Sequence, residues 1–529
     1  MGGGLAALTL ALQLRQRLPD IDVLVLERRR HPVPHAAHKV GESSVEIQAH
    51  YLATVLGLKD YLDQHHLKKF GFRFFFSDGA HDIASVTELG ASQVLPTQSY
   101  QLDRGILEND LAGIVREHGA TYLDGALVRD FTLGSQRAPH RVSYERDGAT
   151  HAVECRWLID ASGRAGLVKR RLDLAQPNDH DANAAWFRIG ERIDVNEWSD
   201  NAAWLARCTP PDRWRSTNHL VGEGYWAWLI PLASGSHSVG IVADATLHPL
   251  DTLNSFDKAM AWLKVRQPRL YQDLDGKRGA LQDFAFFKHF SYGCKKVYSG
   301  ADRWALTGEA GLFLDPFYSP GGDFIAISNT FITEMIVRDR ADVPVATLAT
   351  MYQRLYFSLY ESMLPLYQGQ YRMFGDARVL PLKVLWDYTF YWGVLCQLFF
   401  QNRLTDVAAI GRLQGPLARA QRLNVEMQKF LRAWSNSSPH DNPPQMLDQA
   451  GLPWFEALNR GLSDTLDDAA FHARVEAGVV QLASLAAQLV EHAMCDDPTL
   501  DASGLHQLLG ADAATPSQDM LFAQVTEPS

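Results

Sequence analysis

"MGGGLAALTLALQL" (residues 1–14) is the stretch on which the fold turns. Gly2, Gly4 and Ala7 have the GxGxxA spacing of a turn that cradles phosphate at a helix N-terminus. The Leu- and Ala-rich run that follows predicts the helix itself, with apolar residues at helical spacing. "IDVLVLERR" (21–29) then reads as a buried strand, and its acidic end, Glu27, comes 20 residues after Ala7. A carboxylate so placed accepts from a ribose hydroxyl in dinucleotide-binding turns. Such a turn normally follows a central strand, yet only Met1 precedes this one. Losing that strand exposes the edges of two neighbours. The expectation is a start several residues inside the coding sequence, and weak folding or cofactor binding as given. The alternative is a Gly-rich arm before an amphipathic helix.

The totals are those of an ordinary globular chain: 529 residues, 46% hydrophobic and 21% charged. A net charge of −11 argues against nucleic acid as a partner. Cys155, Cys208, Cys294, Cys396 and Cys495 are scattered without a CxxC, which reads as reduced thiols in a cytoplasmic protein. The most apolar run, "VLWDYTFYWGVLCQLFF" (384–400), has 17 residues and carries Asp387, so it predicts a buried or interfacial helix rather than a membrane span. No histidine spacing suits a metal site, and none is expected.

Three further segments extend the glycine turn. "KVGESS" (39–44) places Gly41, Glu42, Ser43 and Ser44 in a loop before a helix, where they supply caps and acceptors. "YQLDRGILENDLAGIVREHGATYLDGALVRDF" (100–131) reads as strand, helix, strand, with Arg104 at the helix start in reach of a cofactor phosphate. "RWLIDASGRAG" (156–166) reads as a strand ending in Asp160 and Gly163, suited to close approach of backbone to ligand.

With "GYWAWLIPL" (224–232) and "LTGEAGLFLDPFYSPGGDFIAISN" (306–329), the chain resembles the flavin-dependent halogenases of the tryptophan-halogenase superfamily over residues 1–420. These are relatives of the single-component FAD monooxygenases. The resemblance implies an α/β fold: a Rossmann-like FAD-binding domain (first strand missing) from 1–175 and 295–335, and a β-rich substrate domain from 176–294. A helical substrate cap over 336–434 follows, then a polar linker, "SNSSPHDNPPQM" (435–446), and a small helical appendage with a loose tail over 447–529. Implied cofactor contacts are Gly2, Gly4, Leu5, Ala6, Glu27, Gly41, Glu42, Ser43, Arg104, Val128, Asp160, Gly163, Gly308, Glu309, Pro316, Gly321 and Gly322. Glu309 stands where the family usually has aspartate, and "DPF" (315–317) with Asn329 at a helix start is expected to floor the flavin.

The resemblance also implies the chemistry. Reduced FAD, O2 and halide yield hypohalous acid, which reaches a lysine that presents electrophilic halogen to an aromatic ring, free or carrier-tethered. Trp226, Trp228 and Pro231 of the WxWxIP signature are expected to keep the substrate from the flavin. Lys69, in "LKKFGFRFFFSDG" (67–79), fits the reactive lysine better than Lys68, because small Gly71 follows it by two. Apolar Phe72, Phe74 and Phe76 alternate with Arg73 and Phe75 as in a half-buried strand. Without a second nucleotide fold, a separate flavin reductase is the expected partner.

The expected halide site, Pro320 and Gly321, departs from the family pattern. Proline has no N–H, so one of two anion donors is gone, and Asp323 adds negative charge nearby. Either the Gly321 and Gly322 amides rebuild the site, or halide is not bound and the protein is an FAD monooxygenase. A flavoprotein relic that does not bind FAD productively is the non-enzyme alternative.

Overall fold

The computed structural model describes residues 1–36, 38–135, 138–509 and 519–522. The chain divides into two compact units, each assembled from three separated segments.

The first unit comprises 1–66, 102–180 and 290–361. The glycine-turn helix, Leu5–Arg17, has Leu8, Leu12 and Leu14 buried and closes on Arg15 and Arg17, which suit its negative end. It packs against the long helix Pro320–Arg340. Asn329 makes the joint: its amide donates to Ala6 O at 3.1 Å and Thr9 Oγ1 at 3.0 Å. That places Asn329 mid-helix, not at the helix start expected from the sequence, because the helix begins at Pro320.

Two parallel strand pairs flank the turn, Leu24–Leu26 with Thr121–Leu123 and Leu158–Asp160 with Trp304–Leu306. Main-chain bonds from the first two residues reach both pairs. Gly2 N donates to Leu26 O at 2.9 Å, the Met1 ammonium to Ile159 O at 2.8 Å, and Ala161 N to Met1 O at 2.9 Å. A separate antiparallel sheet holds Leu127–Thr132, His140–Arg146 and Ala149–Cys155.

The second unit comprises 67–101, 181–289 and 362–529. Its centre is an eight-stranded sheet in the order Leu281–Phe287, Ala182–Ile189, His237–Asp244, Tyr225–Pro231, Thr217–Gly222, Phe72–Phe75, Glu88–Gly90, Met446–Asp448. Alternation along the strands gives the sheet two faces. One carries Phe75, Leu220, Ala227, Leu229, Val239 and Ile241 into a core closed by the helices Phe256–Arg266 and Pro268–Asp275. The other carries Phe72, Phe74, His219, Trp226 and Trp228, all buried. Both faces are therefore covered, and the aromatic strand is buried throughout, where its alternation predicts half-burial.

Arg73 explains how a cation is tolerated there. It and Arg213 both pair with Glu88, with the Arg213 Nε–Oε1 distance 2.8 Å, and all three side chains have no exposure. Arg213 also lies over the Trp204 ring at 4.2 Å.

The segment partition differs from the sequence expectation in three places. A boundary at 335 falls inside the helix Pro320–Arg340, where Met335 and Ile336 are buried with the rest of one face. The polar stretch 435–446 is stitched to the sheet: Asn442 accepts from Thr87 N at 2.8 Å and donates to Phe76 O at 2.7 Å. The last segment supplies the sheet's edge strand Met446–Asp448 and the 29-residue helix Asp468–Asp496. That helix crosses close to the π-turn Tyr391–Leu395, where a Cβ on Gly478 would meet Gly393 O at 2.4 Å. Among the described residues, no helix is long and apolar enough to cross a membrane.

Candidate functional site

The sequence-predicted cofactor residues all lie in the first unit. Gly2 has φ +96°, and a Cβ there would meet Ala161 O at 2.3 Å, so the tight turn admits only glycine. Gly4 caps the helix, and the space where its Cβ would point is open to 3.9 Å, ending at Glu108. Leu5 and Ala6 form the helix's first turn, whose N–H groups have no intrahelical acceptor. This is the donor set and backbone exposure that a pyrophosphate needs.

Glu27 braces the turn, accepting from Gly3 N at 2.7 Å and Arg29 N at 2.8 Å. Arg104 opens the helix Arg104–Glu117 and fixes the 39–44 loop by donating to Val40 O at 2.8 Å and Gly41 O at 3.3 Å. It also reaches Glu108 at 2.5 Å, and Lys39 pairs with the same carboxylate. Burial pushes the Glu108 carboxyl up, but Arg104 and Lys39 outweigh it and hold it below the usual range. The Glu42 carbonyl accepts from Leu102 N, and Ser43 is buried beside it.

Asp160 is fully buried and occupied within the fold. It accepts from Ser162 N at 3.0 Å, Ser162 Oγ at 2.6 Å and Val168 N at 2.7 Å, so it clamps the turn at Gly163. Gly163 itself has φ +61°, and the space where a Cβ would stand is open to 4 Å. Gly308 sits against the glycine-turn helix, its Cβ position 3.1 Å from Ala6 Cβ, and Glu309 pairs with Arg164 at 3.1 Å. Val128 lies on the antiparallel sheet opposite Tyr144.

The bend ahead of the long helix is tight. Ser319 has φ +54°, its N–H donates to Pro316 O at 2.9 Å, and Pro320 takes the first helical position, where its missing N–H is least felt. Gly321 is open to 3.8 Å, while a Cβ on Gly322 would overlap the Gln48 carboxamide. Asp323 turns its carboxylate onto Gln48 N at 2.9 Å. Beside this bend lies a pair that sequence reasoning misses, His180 Nε2 and Asp315 Oδ2 at 2.6 Å, both buried. The two are 135 positions apart, and neither belongs to a spacing motif of the other.

In the second unit, the structure separates the two candidate lysines. Lys68 is exposed, and Lys69 is 3% exposed. Lys69 lies between the short strand Leu67–Lys68 and the strand Phe72–Phe75, with its N–H on Ser99 O at 2.9 Å. Gly71, at φ +84°, makes the step between the strands. The Lys69 ammonium stands 3.4 Å from the centre of the Phe72 ring, a cation–π contact that offsets part of its desolvation. Trp226 donates to Tyr371 Oη at 3.1 Å, and Trp228 to Ser238 Oγ at 3.1 Å. The Trp228 indole needs Gly240, where a Cβ would come within 2.1 Å of the ring. Pro231 ends that strand opposite His237. Tyr388 and Trp392 (ring centres 4.4 Å apart) extend the aromatic wall from Phe72 to Phe455. Among the described residues, no group of three or more His, Cys, Asp or Glu is arranged to hold a metal.

Residues 1–239 match the FAD binding domain family. The chain is 30% identical over 370 residues to a flavin-dependent halogenase of Dictyostelium discoideum, covering 64% of this chain and 59% of that protein. The chain is thus similar to flavin-dependent halogenases. A halogenase relative in Pseudomonas fluorescens, a 1H-pyrrole-2-carbonyl-[peptidyl-carrier protein] chlorinase, is 24% identical over 462 residues, 83% of this chain and 94% of its own. The fold resembles that of the halogenase PltM solved with phloroglucinol and FAD, at TM-score 0.63 and 17% identity, covering 96% of this chain and 97% of that one. The chain spans about three fifths of the length of three of its curated halogenase relatives, 59%, 60% and 59%.

Proposed function

We propose that this protein is an FAD-dependent halogenase that places chlorine or bromine on an electron-rich aromatic ring. The observation that carries the reading is Lys69, whose ammonium is buried against Phe72 on the tryptophan-bearing face of the sheet. A desolvated amine fixed by packing suits the presentation of electrophilic halogen, by hydrogen bond to hypohalous acid or as a haloamine.

FAD, reduced by a separate flavin reductase, supplies the electrons with which O2 converts halide to that oxidant. Gly2, Gly4, Leu5 and Ala6 would hold its pyrophosphate, Glu27 its ribose, and Arg104 with the 41–43 loop its phosphates. Asp160 and Gly163, Gly308 and Glu309, Pro316, Gly321 and Gly322 would border the rest, with Val128 more distant in role. Trp226, Trp228 and Pro231 would wall the substrate side. Names of relatives that act on carrier-bound pyrrole, and a neighbour solved with phloroglucinol, support a small aromatic substrate, free or carrier-tethered. The proposed place of action is the cytoplasm.

Pro320 favours a second reading, hydroxylation without halide, because it removes one N–H from the anion site. Asp323 weighs against it, since its carboxylate is taken up by Gln48 N.

The test supplies purified protein with FAD, a flavin reductase, NADH, O2 and bromide, and follows products by mass spectrometry. Brominated product that vanishes in Lys69→Ala, with flavin binding retained, is expected. Product persisting in that variant refutes the lysine's role, and halide-independent hydroxylation favours the second reading.

A further inference from the structure

Lys69 follows the two-residue strand Leu67–Lys68 and precedes the step at Gly71, an irregular place for a side chain of fixed direction. The peptide groups on either side of it are nevertheless held at both ends. In the one before, Lys69 N donates to Ser99 O at 2.9 Å, and Lys68 O accepts from Arg215 Nη2 at 3.0 Å. In the one after, Phe70 N donates to Arg215 O at 3.1 Å, and Lys69 O accepts from Gln98 Nε2 at 3.3 Å. Peptide groups are planar, so holding both planes fixes the dihedrals of Lys69 and the direction of its Cα–Cβ bond.

Arg215 grips both planes and is itself anchored. Its Nη1 donates to Asp212 Oδ2 at 3.1 Å, and its N–H to Asp212 O at 2.9 Å. It ends the short turn Arg213–Arg215, whose first residue is buried on Glu88. Gln101 Nε2 supports the Arg215 carbonyl at 3.3 Å. The bond from Arg215 to Lys68 O lies at the surface, where water could satisfy that carbonyl. Solvating the carbonyl does not need Arg215; holding it still does, and a long side chain gives up rotamer freedom to do so.

We propose that Arg215 and Gln98 are positioning residues for Lys69: from the backbone side they keep its ammonium against Phe72, aimed for halogen transfer. The transfer half of this rests on the halogenase reading, while the holding half concerns only where the amine lies. Arg215 suits the task because its planar fork serves Asp212 and Lys68 O together, which an ammonium cannot span as well.

Two measurements on the full-length, FAD-loaded protein test the halves separately. Acetylation with N-acetoxysuccinimide, read by tandem mass spectrometry, is expected to modify exposed Lys68 in every form and to spare Lys69 in the native protein. In Arg215→Ala and Gln98→Leu, Lys69 should be modified about tenfold faster, with buried Lys383 still spared as a sign of intact packing. With a flavin reductase, NADH and bromide, the second measurement compares brominated phloroglucinol with hypobromous acid caught by monochlorodimedone. Product per NADH is expected to fall about tenfold in Arg215→Ala while trapped oxidant rises, since a misplacement of about 1 Å can cost about a hundredfold. Arg215→Lys, which keeps one donor, should recover part of the loss. Equal protection of Lys69 in the native protein and both variants overturns the proposal, with or without turnover. An unchanged ratio of product to trapped oxidant in the variants overturns it also. A native protein that brominates nothing strikes the halogenase reading, and the acetylation result still decides the clamp.

Discussion

The glycine turn of the first unit and the aromatic wall of the second are built on opposite plans. The turn is backbone: Gly2, Gly4, Leu5 and Ala6 adjoin in sequence, and what they offer is N–H groups and room. The wall is side chains: Lys69, Phe72, His219, Trp226, Tyr371 and Tyr388 span more than 300 residues of sequence, joined by ring contacts, a cation–π contact and a hydrogen bond. A contiguous backbone site fails when one glycine gains a carbon. A dispersed side-chain site fails when the frame that brings its pieces together does.

The largest break is expected in that frame. Glu88→Ala leaves the Arg73 and Arg213 guanidiniums buried without their carboxylate. A loss of about 4 kcal/mol in urea unfolding is expected, because unpaired buried charge is more damaging than the pair is stabilising. On the backbone side, Gly2→Ala faces both a positive φ and the Ala161 carbonyl. About 3 kcal/mol is expected, with FAD lost on gel filtration, since strain and overlap add at one residue. Retained flavin in Gly2→Ala would mean the turn is not the cradle.

The same contrast sets what is legible in the sequence. GxGxxA, the Glu27 strand, Arg104 and the Trp pair are spacing motifs, and each falls on the kind of element its spacing predicts. The choice between Lys68 and Lys69 rests, in the sequence, on a small residue two positions on, and burial distinguishes them in the structure. His219, Tyr371 and the His180–Asp315 pair carry no local signal, because their neighbours are set by strand register and by contacts across 135 or more positions. The stretch 435–446 misleads for the opposite reason. Its Ser, Asn and Pro content is that of a linker, yet Asn442 uses its amide to close the sheet edge. Asp160 reads as a ligand contact in the sequence, and its oxygens are held by Ser162 and Val168.

Each unit also buries a neutral histidine whose Nδ1 accepts a backbone N–H, His66 from Asp103 at 3.2 Å and His237 from Ile193 at 3.1 Å. Burial lowers both from 6.5, His66 to about 4 and His237 to about 3. A lowered folded-state value means the unfolded chain takes the proton first. Stability is therefore whole above pH 6.5 and falls as the pH drops toward those two values. Near pH 5 each histidine is expected to contribute a loss of about 2 kcal/mol. Urea unfolding of His237→Gln should show a flatter decline between pH 7 and pH 5 than the native protein. An unchanged slope would mean that the imidazole is already solvated.

The smallest expected effect concerns the bend ahead of the long helix, where a side chain serves a backbone site. Gln48 is the third residue of the helix Glu46–His50, and that helix has no side-chain cap of its own at Val45. Its N–H is one of the orphan donors of a helix start, and Asp323, 275 positions away, supplies the acceptor at 2.9 Å. Asp323→Ala removes that remote cap and should reduce stability by about 1 kcal/mol. Asp323→Asn keeps an acceptor oxygen and should lose less, which a pair of urea titrations resolves. The same variant bears on halide. A carboxylate facing the anion would raise the bromide KM, and neutralising it would lower that KM steeply. With the charge drawn onto Gln48 N, the bromide KM of Asp323→Asn should move by less than about twofold. A steep fall would show that Asp323 and the halide share one space.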